Sequence, residues 1–376
     1  MPCSLLDSLA HIRDPRQASG KRHSLPAILL LVFVGLLCNQ QTTSAIAQWV
    51  RWQPREFWRT LGFNRQPPCP TTISNLMARL GLQPIEDCLN GWAISHWQNL
   101  TTLAGDAIAV DGKTLRGSRK QGGENPHLLS AFSHRLKVTL GQKAVPDKTN
   151  EIGEVSQLLE SLPLANCVVT ADAMLTQRRV AELLLAAKAD YVMPVKENQP
   201  HLYDDLTFLL HEKLLTHEHH TSDESLELGH GRLEVRRLIA RTVPPDYQVN
   251  WPGIQQLVKI IRQTTFKNRG KSRQEVSYAV TSLSPQRASA KDLQVLIRGH
   301  WSIENLSHWV RDVVMGEDAN QCRVGQTSQI LAVMRNTVLS LLRLHGIERI
   351  TQAMRRFAAR PMEALHLIQA PLLRTG

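Results

Sequence analysis

Asp111 ends a short apolar run, Ala107-Ile-Ala-Val110, and is followed by Gly112-Lys113-Thr114. A carboxylate at the end of a buried strand loses solvation that a cation or hydrogen bonds must replace. The neighbouring Lys113 can serve that purpose structurally. Asp172, in Val-Val-Thr-Ala-Asp-Ala, repeats the arrangement further along the chain. Either aspartate alone reads as a turn or cap residue. Two of them on one small sheet point instead to a hard-cation site built from oxygen ligands.

The third chemical element is Ile297-Arg-Gly-His-Trp-Ser-Ile-Glu-Asn-Leu-Ser-His-Trp-Val-Arg311. As an α-helix it carries Ile303, Leu306 and Val310 on one side, with His300, Glu304, His308 and Arg311 sharing another face. Three readings compete: a hydrogen-bonded polar stripe, a zinc or di-iron site on a bundle helix, or a glutamate that completes the two-aspartate site. The last is chemically coherent. Attack on a phosphodiester needs an activated nucleophile and a stabilised leaving oxygen, which two divalent cations about 4 Å apart can supply when carboxylates hold them. Weaker features are the His211, His217, His219 and His220 tract, read as a solvated loop, and Trp301 and Trp309, candidates for base stacking or core packing. No Walker or dinucleotide fingerprint is present, which argues against ATP-driven or redox chemistry.

The elements that position these residues follow from texture. Residues 1–100 read as helical, with stretches around 25–38, 44–52 and 72–97 and a break at Pro67-Pro-Cys-Pro70. Arg55, Arg59 and Arg65 between them suit either a helix-turn-helix-like DNA-binding module or a plain packing domain. From about residue 105, strands at 107–110, 136–140, 167–170 and 191–195 interleave with a helix at 176–187, the signature of an α/β sheet. Functional groups in such sheets collect past the carboxyl ends of strands, where both aspartates stand. Residues 225–285 turn β-rich around a basic hairpin tip, Lys267-Asn-Arg-Gly-Lys271, and 289–365 return to helix.

Charge identifies the partner class rather than the fold. The 376 residues carry 44 Lys and Arg against 33 Asp and Glu, a net +11, which favours a polyanion, nucleic acid before membrane surface. The six scattered cysteines form no CxxC pair, so a disulfide scaffold is excluded and a reducing compartment fits. The apolar run 25–38 is too short for a membrane span and follows a leader that carries Asp7 and Asp14, so a buried helix and a cytoplasmic protein are expected.

Seven ordered segments together resemble the DDE-type insertion-sequence transposases whose third acid follows a β insertion, in particular the H-repeat-associated group. They are Asp14-Pro-Arg…Gly-Lys-Arg-His, Ala-Val-Asp111-Gly-Lys-Thr-Leu-Arg-Gly-Ser, Lys148-Thr-Asn-Glu-Ile and Val-Thr-Ala-Asp172-Ala-Met-Leu-Thr-Gln, then three more. These are Asp190-Tyr-Val-Met-Pro-Val-Lys-Glu-Asn-Gln, His230-Gly-Arg-Leu-Glu-Val-Arg, and His300-Trp-Ser-Ile-Glu304-Asn-Leu-Ser-His-Trp-Val-Arg-Asp-Val…Gly-Glu-Asp. The resemblance implies an RNase H-like catalytic domain over 101–376, interrupted by the β-rich insertion and preceded by a helical domain over 1–100 that serves DNA binding or assembly. It implies Asp111, Asp172 and Glu304 as the catalytic triad and metal ligands, for two magnesium ions with manganese as a substitute. Related transposases carry Tyr, Arg and Lys around the glutamate, at positions occupied here by Ile297, His300 and Arg311.

The expected protein is therefore a transposase that acts on double-stranded DNA at terminal inverted repeats and at a target, as a homodimer on DNA and away from membranes. Lys113, Arg116, Lys196, Arg298, His300, His308 and Arg311 are the expected DNA contacts. Its rivals are a metal-dependent nuclease of the same fold, an inactive derivative that only binds DNA, and a zinc hydrolase of small molecules.

Overall fold

A computed structural model describes residues 4–100, 105–118, 125–145, 151–212, 220–229, 231–245, 247, 249–266 and 271–371. The chain forms two compact units. One holds Met1–Thr102, Gly112–Glu154 and Ile303–Gly376, the other Leu103–Asp111 and Val155–Ser302.

In the first unit, hydroxyl caps start the early helices. Ser4 and Asp7 cap each other's backbone at α1 (Leu5–Ala10). Ser24 accepts the Ala27 amide at the head of α2 (Leu25–Leu37), and Thr42 accepts that of Ala45 at α3 (Thr43–Arg51). Every residue of α2 except Pro26 is buried. At about 20 Å it is a core helix, and no helix among the described residues is long and apolar enough to cross a membrane. A short helix that the sequence reading did not anticipate, α4 (Arg55–Thr60), follows Pro54. The single stretch expected over 72–97 is two helices, α5 (Pro70–Arg79) and α6 (Leu82–Leu100), because Leu80 takes an extended conformation between them.

Strand β1 (Ala107–Thr114) carries the chain from the second unit into the first. There β2 (His127–Ser133) and β3 (Thr139–Val145) pair antiparallel. The strand expected over 136–140 falls mostly on the turn between them, which Lys137 closes with a positive φ of 59°.

Helix α7 (Glu151–Glu160) returns the chain to the second unit. Here β4 (Val168–Ala171) lies parallel to β1, α8 (Arg178–Ala186) packs on the next strand, and β5 (Asp190–Val195) lies parallel to β4. This is the expected mixed α/β core. After α9 (Pro200–Leu209) come β6 (His220–Gly229), β7 (Arg232–Thr242), β8 (Gln256–Phe266) and β9 (Lys271–Thr281), a continuous antiparallel meander. The β-rich insertion is not a separate sheet. Strand β9 pairs antiparallel with β5, Val192 opposite Thr281, so the order within this unit is β1-β4-β5-β9-β8-β7-β6. Helix α10 (Ala290–His300) starts with a Ser289–Asp292 capping box and lays Leu293, Leu296 and Ile297 against Val168, Val192, Leu238 and Val258.

The chain then re-enters the first unit. Helix α11 (Thr327–Leu344) is buried along most of its length against α2, α5, α6 and β3, and α12 (Ile350–Ala359) and α13 (Pro361–Gln369) close the described chain.

Candidate active site

In the second unit, the parallel pairing of Val110 with Ala171 brings the backbones of the residues that follow them close together, Asp111 within β1 and Asp172 just past β4. Neighbouring strands run about 4.8 Å apart, so the backbones of these two residues stand close together. Strand β1 does not stop at Asp111 as expected; it runs on to Thr114, and Asp111 is half-buried within it. Asp172 is half-buried just past β4. Its Oδ1 accepts the Leu175 amide at 2.9 Å, and its carbonyl accepts the Thr176 hydroxyl at 3.2 Å. The turn that carries the carboxylate is thereby held in one conformation. Lys196 is exposed immediately beyond β5, past the end of the third parallel strand. His300 Nδ1 shares a 3.1 Å hydrogen bond with the Thr170 hydroxyl, two residues before Asp172, which ties the end of α10 to β4. Arg298, an expected DNA contact, is ion-paired with Glu227.

Glu304 lies in the first unit, where the backbone departs from the α-helix assumed for it. Glu304–His308 and Val310–Val314 are π-helical turns, in which Trp309 donates to the Glu304 carbonyl and Met315 to that of Val310. Such i→i+5 turns recur at functional sites. Across a span of four residues the wider turn still keeps two side chains together: His308 Nδ1 donates to Glu304 Oε2 at 2.9 Å. The Glu304 side chain is 53% exposed and that of His308 only 3%. The hydrogen bond from His308 holds the Glu304 carboxyl below its ordinary range, against partial burial and with help from the charges of His308, Lys113 and Arg116. Glu304 is therefore a carboxylate at neutral pH.

Over the longer span from Glu304, the slower rotation of the wide turns carries Arg311 off the glutamate's face. It was expected beside Glu304 as a phosphate contact. Instead its side chain is wholly buried, donating to Glu317 at 2.5 and 3.2 Å and to Asn336 at 3.0 Å. Lys113 is likewise buried, 2.5 Å from Asp312, 3.7 Å from Asp318 and 3.9 Å from Glu317. Both cations are committed to carboxylates of their own unit, so neither is placed to meet a phosphate. His308, also expected to contact DNA, is committed to Glu304. Arg116 remains exposed, its backbone amide donating to Asp318 Oδ1 at 3.3 Å.

Sequence reasoning missed the acids and the second arginine of this network. Burial alone would raise the Glu317 carboxyl, but Arg311 and Arg335 outweigh it and hold it below its ordinary range. Arg335 Nη1 is 3.7 Å from Glu317, and its Nη2 donates to the Gln41 carbonyl at 2.9 Å. The available signals were Arg335-Asn336 inside the apolar run of α11, and Gly316-Glu317-Asp318 at the end of the matched segment. His217, His219, the 148–150 segment, His230 and 267–270 of the hairpin tip lie outside the described residues.

Residues 103–341 match the family described as Transposase DDE domain, and residues 6–93 match the one described as DDE_Tnp_1-associated. A relative from Escherichia coli O157:H7 named "Putative transposase YncI" is 32% identical over 90% of this chain and 87% of its own. Another, "H repeat-associated putative transposase YhhI" of Escherichia coli K12, is 28% identical over 90% of each. Among solved structures, a piggyBac transposase synaptic complex with hairpin DNA aligns over 99% of this chain and 79% of that one, with a TM-score of 0.46 and 12% identity.

Proposed function

The chain belongs to the transposase DDE family, and on that premise we propose that it binds the terminal inverted repeats of its own element, hydrolyses a phosphodiester at each end and joins the freed 3′-hydroxyls to target DNA. The observation that carries this reading is the placement of Asp111 beside Asp172 at neighbouring parallel strands. With Glu304 as the third acid they would offer an all-oxygen donor set of the kind that magnesium, or manganese in its place, accepts. A bound divalent cation supplies a Lewis acid that activates the attacking oxygen and stabilises the leaving one.

The chain's own residues do the rest. Asp111 presents its carboxylate from β1 and Asp172 from the turn just past β4, where the Leu175 amide steadies it. Glu304 acts as the third acid, kept ionised and aimed by His308. Of the residues expected to contact DNA, Lys196 and Arg116 are exposed and contact phosphate oxygens. Residues 1–100 serve DNA binding or assembly and residues within 101–376 carry the catalysis, although the compact units do not divide at that boundary: residues 1–102 pack in one unit with 112–154 and 303–376. The protein works in the cytoplasm, as a homodimer on DNA.

The test is cleavage and joining of duplex DNA that carries the flanking repeats, by wild type and Glu304→Gln, in magnesium and in EDTA. End cleavage and joining in magnesium, abolished by EDTA and reduced at least about 1000-fold in the variant, is the expected result, with DNA binding retained. A wild-type protein that binds this DNA but cuts it in neither magnesium nor manganese would sink the proposal.

A further inference from the structure

The first of the segments that resemble the transposases, Asp14-Pro-Arg16 with Gly20-Lys-Arg-His23, takes no part in the chemistry of the three acids. Its geometry is nevertheless tightly specified. Asp14 Oδ1 accepts from the Arg16 amide and from its Nε, both at 3.0 Å, and Oδ2 accepts from Nη2 at 2.9 Å. The same Nη2 donates to the His23 carbonyl at 2.8 Å, so one guanidinium fastens the beginning of this loop to its end. A planar fork held at both ends in this way is what lysine could not provide. Ser24 then caps α2, so the loop passes directly into a buried helix.

A second loop joins it. The His23 ring meets Phe63 edge-on at 5.3 Å, and a Cβ on Gly62 would stand 3.4 Å from that of Ala27 in the first turn of α2. This brings exposed Arg65 to the same place as Lys21 and Arg22, with Arg13 at the start of the first loop. Asp14 neutralises Arg16, and Lys21 Nζ is 3.8 Å from it while its side chain remains 41% exposed. Burial and the charges of Arg65, Arg16 and Arg22 hold His23 below its ordinary range, as expected where guanidinium groups gather. Most of the positive charge here faces solvent, on a loop that the Arg16 guanidinium ties at both ends.

We propose that Arg13, Lys21, Arg22 and Arg65 form a DNA-backbone clamp, separate from the catalytic acids, that grips phosphates of duplex DNA irrespective of sequence. The choice of DNA over other polyanions rests on the transposase reading. Such contacts set position and orientation rather than sequence preference. They therefore act equally on the inverted repeat and on unrelated duplex.

The experiment is a salt titration of binding to a labelled duplex of arbitrary sequence. It compares wild type with Lys21→Gln/Arg22→Gln/Arg65→Gln, and with a control of equal charge loss, Arg179→Gln/Lys188→Gln/Lys291→Gln. All six side chains are exposed, so both variants should melt at the wild-type temperature. The clamp variant is expected to lower the slope of log affinity against log salt by about 2–3 and to bind about 10–100-fold more weakly near 0.1 M salt, with the control close to wild type. Equal slopes for the two variants would overturn the clamp and leave the transposase reading standing. A wild-type chain that binds no duplex would overturn both.

Discussion

Glu304 and His308 illustrate how one hydrogen bond can link solvent to core. The imidazole is enclosed and the carboxylate it holds is half in solvent, so the histidine restricts which oxygen faces outward. Groups that orient a ligand in this way are worth about 10–100-fold in metal affinity or activity. His308→Leu should lower magnesium-dependent cleavage by about that factor and weaken manganese binding measured by electron paramagnetic resonance, while DNA binding stays intact. His308→Gln, which restores a donor, should recover part of both; equal impairment of the two variants would reduce His308 to a packing role. Arg311 makes the opposite case. Its removal leaves Glu317 buried with only more distant cations, and breaking such a pair costs about 3 kcal/mol or more. Arg311→Met should therefore lower the urea midpoint sharply without altering the salt dependence of DNA binding. Unchanged stability with weakened DNA binding would return Arg311 to the phosphate-contacting role that its position in the sequence suggested.

At the scale of elements, the spacing of His300, Glu304, His308 and Arg311 was legible, but the helix type was not. The same letters on an α-helix give one stripe; on π-helical turns they give a hydrogen-bonded Glu304–His308 pair and a buried arginine. The edge of β3 shows a second feature absent from any periodicity. Helix α6 covers it with side chains: Asn90 exchanges two hydrogen bonds with the Gln142 backbone, and Glu86 accepts the Ala144 amide at 3.2 Å. Occupied edges do not recruit other strands. Burial pushes the Glu86 carboxyl from 4.5 up to about 8, although Lys143 and the Ala144 hydrogen bond oppose the shift. Between those values the unfolded chain releases the proton and the folded chain keeps it, so this group's contribution to stability falls as pH rises from 4.5 to about 8. Glu86→Gln keeps an acceptor without the ionisation. It should be neutral to stability below pH 4.5 and stabilising by roughly 2–3 kcal/mol at pH 7. Denaturation curves at acid and neutral pH check this, and parallel pH profiles for the two proteins would refute it.

For the whole molecule, what was readable from the sequence was what depends on neighbours along the chain. Apolar runs, turn residues and their alternation marked the α/β core, the helical beginning and the β-rich segment. Local order also placed Asp172 just past a strand, because a carboxylate after an apolar strand is a pattern of a few residues, whereas Asp111 lies within β1, which runs on to Thr114. The net charge of +11 pointed to a polyanion without reference to any fold. Tertiary structure decided what depends on residues remote in sequence. The pairing of β9 with β5 made the β-rich insertion an extension of the sheet, since strand partners are chosen by hydrogen-bond register and not by adjacency. Asp312, Glu317 and Asp318 claimed Lys113, and Glu317 and Asn336 claimed Arg311, because a buried cation must find its counter-charge wherever the chain brings one. Which basic residues reach solvent is thus a property of the folded chain: the sequence counts the charges, and only packing separates those spent inside from those left for a partner.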